Sequence, residues 1–438
     1  RGQPWRRCLF GSRSLHLGSD VTRSILVGEV RTGRRIATIP VSDASWSSVL
    51  KGVGTVDATI PLGAAEFKER ERVILSGQYP GVDIFPSVNT WPRAEVTAWR
   101  MGQGIRPEFL TMLDPNRCFM ALVDHNDVTG ADFIPEAGPI VGHGGGEGAS
   151  SFTVKANGFR SLFDGRRIMG VIDSGYAAWV VTHSAMSLGT IAKRLVELCL
   201  ADPDGNLPII LPADVLAADD DDHRRTYKGS ALGKVGDVLD QLSGVLNGPD
   251  IAFDPRLTSD RMGVEWVMRT GTEADPMLHQ AGVPWTFDMR VPRGNIGGLS
   301  WSRDGSGMAS RSWATSNDAA AGMLMARKDS STLLDANYPL IEIAENRSTV
   351  ERQATLDGWA SGNLAAASAP VMTISIKAML GSRVVRPGDF ATFYPPPDHY
   401  LALLRGKDQP YSVRVASTGG SVGDGWTSLK FLPEMGAR

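Results

Sequence analysis

The sequence predicts a β-rich α+β chain that runs as a strand-rich stretch, an α/β stretch and a second strand-rich stretch. Three observations predict it. Short runs of Val, Ile, Thr and aromatic residues alternate with Gly, Pro, Asn and Asp clusters over residues 24–172 and again beyond Asn295. Between them lie two segments whose apolar residues recur at three- and four-residue spacing. With 49 Gly and 26 Pro in 438 residues, turns are frequent, yet the chain stays short of a low-complexity composition.

The first stretch opens with Ile25 to Val30, a turn at Arg31-Thr32-Gly33 and Arg35 to Ile39, which together predict a hairpin. Thr55 to Ile60 follows the Gly52-Val53-Gly54 turn. Further strands are predicted at Val73 to Leu75, Ala94 to Trp99, Phe119 to Val123, Pro139 to Val141 and Ser151 to Ala156. That spacing predicts a barrel or sandwich. Residues 142–148, rich in glycine, read as a flexible linker.

In the middle stretch Leu188, Ile191, Ala192, Leu195, Leu198 and Cys199 form one apolar face, with Lys193, Arg194 and Glu197 opposite, so a helix opens near Ser187. A second runs from about Lys234 to Val245 and stops at Asn247-Gly248-Pro249. Strands at Ile251 to Phe253 and Val264 to Met268 complete an α/β unit. Beyond Asn295, Leu299 to Arg303 and Ser310 to Ala314 flank an Asp304-Gly305 turn and predict a hairpin. Ser348-Thr349-Val350-Glu351 fits a capping box, predicting a helix over 348–367 before Pro370. Strands resume at Val371 to Ile376, Phe390 to Phe393, Tyr411 to Thr418 and Trp426 to Phe431. The expected divisions are a basic arm over 1–23, a strand-rich domain over 24–172, an α/β module over 173–294 and a second strand-rich domain over 295–438.

Composition narrows the function. Hydrophobic residues are 42% and charged residues 21%, a globular balance, and no apolar run reaches the length of a membrane-spanning helix. Cys8, Cys118 and Cys199 are too far apart for a C-x-x-C knuckle and odd in number, which favours a reducing compartment. The net charge of −3 conceals an asymmetry, because residues 1–40 hold eight Arg against two acids. Arg1, Arg6, Arg7 and Arg13 with Trp5 and Phe10 could bind nucleic acid or an acidic protein surface; a solvated terminus is the plainer reading. No secretory signal is expected.

Enzyme motifs are few and incomplete. The histidines, at 16, 125, 143, 183, 223, 279 and 399, show no i, i+4 pair of the kind that holds zinc on a helix. Gly419-Gly420-Ser421-Val422-Gly423 matches G-x-S-x-G, but a strand follows where a nucleophile elbow needs a helix. Its glycines are expected to supply positive φ in a hairpin loop. His143-Gly144-Gly145-Gly146 resembles an oxyanion loop, yet no histidine follows Ser421 to complete a triad. Asp219 to Asp222 could offer oxygen ligands to calcium but lack the alternating positions and central Gly of an EF-hand. They read as a solvated loop beside Arg224 and Arg225. The eleven Trp are spread one per segment, as core anchors are, though exposed ones would suit a sugar-binding surface. No catalytic, cofactor-binding or metal residue is expected, and no cofactor.

Several segments taken in order resemble the minor tail proteins of actinobacterial siphophages that serve as baseplate hub, or tail-associated protein. They begin with Ile36 to Pro40, Ser45-Trp46-Ser47, Leu50 to Gly54 and Ala58 to Pro61. Ala137 to Ile140, the stretch from Phe159 to Arg167, and Tyr227 to Ser230 follow. After these come Val235 to Leu239, Gly248 to Ile251, Arg303 to Ser306, Tyr338 to Glu342 and Val385 to Asp389. The likeness spans residues 24–435.

The resemblance implies two tail-tube-like β-barrel domains with an inserted α/β module, assembled as a homotrimer whose six barrels make a pseudo-sixfold ring. Such a ring joins the tail tube to the tip and lines the DNA channel. The implied partners are the distal tail protein, the tape measure protein and other tail-tip proteins, with genomic DNA passing without specific binding. The protein would be made in the host cytoplasm and reside at the virion's tail tip. Some relatives carry an appended peptidase or muralytic module; none is expected before Arg438. The rival readings are a cell-wall glycan-binding tail adhesin and an envelope-degrading hydrolase.

Overall fold

The computed structural model describes residues 15–16, 21–39, 41–61, 112–127, 129–147, 150–216, 223–245, 247–291, 295–316, 323–347, 350, 352–381, 383–406, 408–422 and 424–433. Most of the basic arm, the predicted strands Val73 to Leu75 and Ala94 to Trp99, and Asp219 to Asp222 lie outside these residues.

The apolar run Ile25-Leu26-Val27, buried throughout, puts Val21–Glu29 at the heart of the first lobe. It pairs antiparallel with Arg35–Ile39 across the predicted turn and with Cys118–Asn126 on its other side. From there the antiparallel sheet passes through Asp132–Gly144, Ser151–Asn157, Thr55–Pro61 and Asp43–Val49. Asp43–Val49 then pairs with Tyr411–Ser421 of the last third, and the sheet continues through Thr427–Pro433 and Val371–Ala378 to Ile296–Asp304. Trp285–Asp288 and Phe390–Tyr394 join as a parallel pair beside Tyr411–Ser421.

With the two-residue strand Leu15–His16 beside Val21–Glu29, fourteen strands form one branched sheet, and no closed barrel is present among the described strands. The reason is visible in the pairing. Asp43–Val49, next to which a closing strand of the first lobe would have to lie, has both its neighbours already, one of them from the far end of the chain.

Several local expectations change. The glycine-rich 142–148 stretch is not a linker at its start: Gly142, His143 and Gly144 finish a thirteen-residue strand and pair with Lys155, Val154 and Thr153. The predicted hairpin of Leu299 to Arg303 with Ser310 to Ala314 does not form. Ile296–Asp304 pairs with Val371–Ala378, whereas Arg311–Thr315 joins Met325–Asp329 and Glu342–Asn346 in a separate three-stranded sheet. The late helix spans Gln353–Ala367 with Arg352 at its N-cap, later than the expected start at 348; Ser348, Thr349 and Glu351 of the capping box lie outside the described residues. By contrast Leu188–Ala201 starts where its pattern says, the Ser187 hydroxyl accepting the Thr190 N–H at 3.1 Å. Val235–Gly244 also falls within its predicted span.

Strand alternation divides the side chains between cores. In Cys118–Asn126, Met120 and Leu122 pack with Ile25, Val27, Trp46 and Ile60 on one face. Phe119, Ala121 and Val123 pack on the other, against both of these helices and Trp266. A strand buried on both faces loses the polar alternation of a half-exposed one, which is why this segment reads as an unbroken apolar run. Trp266, on Val264–Thr270, is fully buried, stacked on Phe159 at 4.2 Å and edge-on to Phe119 at 5.4 Å, and its indole N–H donates to the Ala137 carbonyl at 3.3 Å. A third core gathers Phe287, Ile374, Phe393, Val413 and Phe431 in the last third, and a fourth sits under Trp359.

Trp266→Ala would open a void between the first lobe and the helices. Denaturant unfolding of that variant is expected to show a loss of about 3–5 kcal/mol; a loss below about 1 kcal/mol would contradict this packing.

Candidate functional site

Ser421 ends a strand, between Ser45 of a neighbouring strand and the turn that leads to Thr427. It is not exposed on a strand-to-helix elbow. Its hydroxyl donates to Asp43 Oδ1 at 3.0 Å, and its carbonyl accepts from Arg23 Nη1 at 3.1 Å. The glycines before it have a different purpose from the one expected. Neither Gly419 nor Gly420 has positive φ. A Cβ on Gly419 would come within 2.8 Å of the Trp46 carbonyl, so the residue permits close approach of two strands. His143 is exposed on its strand, edge-on to Phe152, far along the chain from any elbow.

The other histidines are dispersed. His125 meets Asp132 at 2.5 Å, His223 meets Glu273 at 2.7 Å and His279 meets Asp275 at 2.8 Å, while His399 accepts the Leu401 N–H. Among the described residues no three of His, Cys, Asp and Glu come together as a metal ion would need. Burial pushes the Cys118 and Cys199 thiols up to about 11, well away from thiolate chemistry. Trp46, Trp266 and Trp359 are core residues, and Trp301 is 37% exposed and stacked on Tyr400 at 4.9 Å.

The charged groups that do converge lie where three parts of the chain meet. Asp250, 1% exposed, accepts from Arg414 and from the Leu278 N–H at 3.0 Å, with Lys51 Nζ 3.4 Å from its other oxygen. Arg414 also donates to the Gly388 carbonyl at 3.0 Å and the Leu278 carbonyl at 2.7 Å. A first-lobe turn, the loop ahead of strand Ile251–Leu257 and a last-third strand are thereby held by one buried carboxylate.

Beside it stands Glu136, which no motif singled out. It projects from Asp132–Gly144 into a space kept open by glycine: a Cβ on Gly54 would sit 2.0 Å from its carboxylate. Burial raises its pKa to about 8, with the nearby Asp254 charge adding to the shift while the Ser48 hydroxyl and the Ala137 N–H oppose it. At neutral pH the group is therefore mainly a neutral acid. Perturbed carboxyls often mark catalytic sites, but size decides against that here. The cavity it lines with Arg160 and Asp254 has about 50 Å³, room for a few waters, whereas ligand pockets run to roughly 300–1,000 Å³. A wider groove of about 810 Å³ between the 31–34 and 258–263 turns is open to solvent, and two of its arginines, Arg34 and Arg256, are already paired with Glu29 and Glu265.

No protein family's model matches this sequence, and no curated protein does either. Among solved structures, the chain is similar to a tail protein from Neisseria meningitidis MC58, at 13% identity over 94% of this chain and 97% of that one, with a TM-score of 0.49. It is also similar to the 43 kDa tail protein of prophage MuSo2 from Shewanella oneidensis, at 12% identity over 94% and 98%, TM-score 0.49. A third is prophage tail protein gp18 from Listeria monocytogenes EGD-e, at 9% identity over 94% and 95%, TM-score 0.43.

Because the folded pKa of Glu136 lies above its unfolded value of 4.5, the native state holds the extra proton. Stability should therefore fall as pH rises from about 4.5 to about 8 and then level off. Glu136→Gln is expected to match wild type near pH 4.5 and to be the more stable protein at pH 8 and above, read by denaturant midpoints at each pH. Parallel pH profiles for the two proteins would refute the assignment.

Proposed function

We propose that this chain is a structural virion protein, the baseplate hub or minor tail protein at the tip of a long non-contractile siphophage tail. In this reading it is a homotrimer whose ring joins the tail tube to the tip and lines the DNA channel. It contacts the distal tail protein, the tape measure protein and other tip proteins, and does no catalysis. The observation that carries the reading is the ordered run of segments from residue 24 to 435 that resembles the actinobacterial hub family.

Physical features support it. The strand-rich lobes formed by the 24–172 and 295–438 stretches share one sheet, so a load applied to either lobe passes through backbone hydrogen bonds between Asp43–Val49 and Tyr411–Ser421. Among the described strands Ile296–Asp304 ends the sheet with one side unpaired, which a neighbouring subunit in a ring would cover. Outside the first 40 residues the chain carries a net −9, read from its own composition, and like charge removes the counterion-release gain that drives phosphate binding. Among the described residues no helix is long and apolar enough to cross a membrane.

A second reading, a tail adhesin for cell-wall glycan, is favoured by one observation: the exposed Trp301–Tyr400 stack offers a flat aromatic surface of the kind sugars cover.

Imaging of the intact particle with this protein labelled should place the label at the tail tip with threefold symmetry. A label on the capsid or along the tube would refute the hub. Purified protein should give no anisotropy change with duplex DNA at physiological salt, and Trp301→Ala should leave cell-wall retention unchanged. Retention lost in that variant would favour the adhesin.

A further inference from the structure

The cations around the junction beside Glu136 are not held equally. Arg414 and Lys51 both meet Asp250, which is fully buried. Arg269 Nε meets Asp254 at 2.6 Å and Arg386 stands 4.0 Å from the same carboxylate, which is mostly buried. Arg160 is held differently. Its own side chain is only 15% exposed, yet the acid it meets at 2.5 Å, Asp240 on helix Val235–Gly244, is 64% exposed. A carboxylate so well hydrated gains little from an ion pair.

Arg160 also lines the cavity of about 50 Å³ that Glu136 lines. It sits on the Phe159–Asp164 turn, and a Cβ on Gly158, just before that turn, would lie 3.1 Å from Glu136 Oε1. Its Nη2 donates to the Gly236 carbonyl at 3.3 Å, in the first turn of the helix. The guanidinium therefore stands between two acids of opposite character. Asp240 is solvated, whereas Glu136 is buried on strand Asp132–Gly144, its carboxyl accepting the Ala137 N–H at 3.1 Å. Once ionised, the buried acid has far more to gain from a counter-charge, because it has lost the water that still screens the other.

We propose that Arg160 is a two-position switch, which pairs with Asp240 while Glu136 holds its proton and turns to Glu136 when that proton leaves for solvent. Rotation about the Arg160 side-chain torsions carries the guanidinium into the cavity, in place of the few waters its volume admits. Asp254 opposes the ionisation by like charge, and Arg269 and Arg386 are engaged with it, as Lys51 and Arg414 are with Asp250. Of these cations Arg160 gives up least by moving. Turning frees Asp240 and the Gly236 carbonyl together, so the helix loses its polar tie to the Phe159–Asp164 turn. The change falls below about 8, where burial alone sets the Glu136 pKa, because pairing with Arg160 favours the ionised form.

Crystals of the full chain at about pH 5.5 and about pH 9.5 test this directly. The Arg160 guanidinium should lie against Asp240 at the lower pH and within hydrogen-bonding reach of the Glu136 carboxylate at the higher one. The same position at both overturns the switch. In solution, Arg160→Met should lower the denaturant midpoint further in wild type than in Glu136→Gln at the higher pH, and equally in the two backgrounds at the lower. Equal effects at both pH values also overturn it. Amide exchange over 235–244, corrected for its intrinsic pH dependence, should rise about two- to fivefold from the lower to the higher pH in wild type and stay level in Glu136→Gln. A rise of the same size in both proteins counts against the switch as well.

Discussion

The fold depends on a carboxylate that three separated segments must share. Asp250 is buried, and a buried charge is tolerable only if its partners are in place and well aligned. Its partners are Arg414, the Leu278 N–H and Lys51, so the first lobe, the middle module and the last third have to reach their final positions together. Removing one member of such a set leaves the other uncompensated, at about 3–5 kcal/mol. That asymmetry makes the group a device for fixing relative position more than a source of net stability. The pairing of Asp43–Val49 with Tyr411–Ser421 works in the same direction, through backbone.

Glu136 shows the complementary solution to burying an acid. Where Asp250 accepts from a guanidinium, Glu136 meets no cation within ion-pair distance among the described residues, and burial drives it to hold a proton. Gly54 and Gly158 give it the space, and a side chain at either would collide with the carboxylate or with neighbouring backbone. The two acids lie on either side of the same junction, because Ile251 to Asp254 lead from Asp250 directly into the wall of the Glu136 cavity.

Local structure was the most legible part of the sequence. The Leu188–Ala201 helix announced itself by a three-four apolar spacing and a serine cap, both of which act within a few residues. Asp43–Val49 was missed because four of its seven residues are Ser or Asp and its two buried side chains, Ala44 and Trp46, give a weak period. The Ser310 to Ala314 segment pairs elsewhere than its neighbouring turn suggests, since Asp304-Gly305 signals a turn without saying whether the chain returns to the same sheet. Its actual partners begin at Met325 and Glu342. Long-range pairing depends on surfaces that become adjacent only after folding, and no local spacing encodes it. The junction was illegible for the same reason, although one signal was available: Glu136 stands alone inside the apolar run from Phe133 to Ala137, where a strand has no ordinary use for a carboxylate.

The open end of the sheet bears on how the molecule is used. Among the described strands Ile296–Asp304 has a partner on one side only, and an open strand edge is a hazard for uncontrolled strand addition. Its own sequence limits that hazard: the register breaks between Gly297 and Ser300, where Gly298 takes φ of +61°, and the strand closes on Arg303 and Asp304. A bulge and terminal charges discourage pairing with arbitrary strands while leaving a shaped surface for one that matches. Next to this edge sits the Trp301–Tyr400 stack, with exposed Leu403 and Leu404 on the same short helix as Tyr400. An edge protected in this way and left without a partner among the described strands, beside exposed aromatic and aliphatic side chains, suits a matching protein strand more than a soluble substrate. The hub reading requires such a neighbour at the subunit boundary, and the adhesin reading has no use for the edge itself.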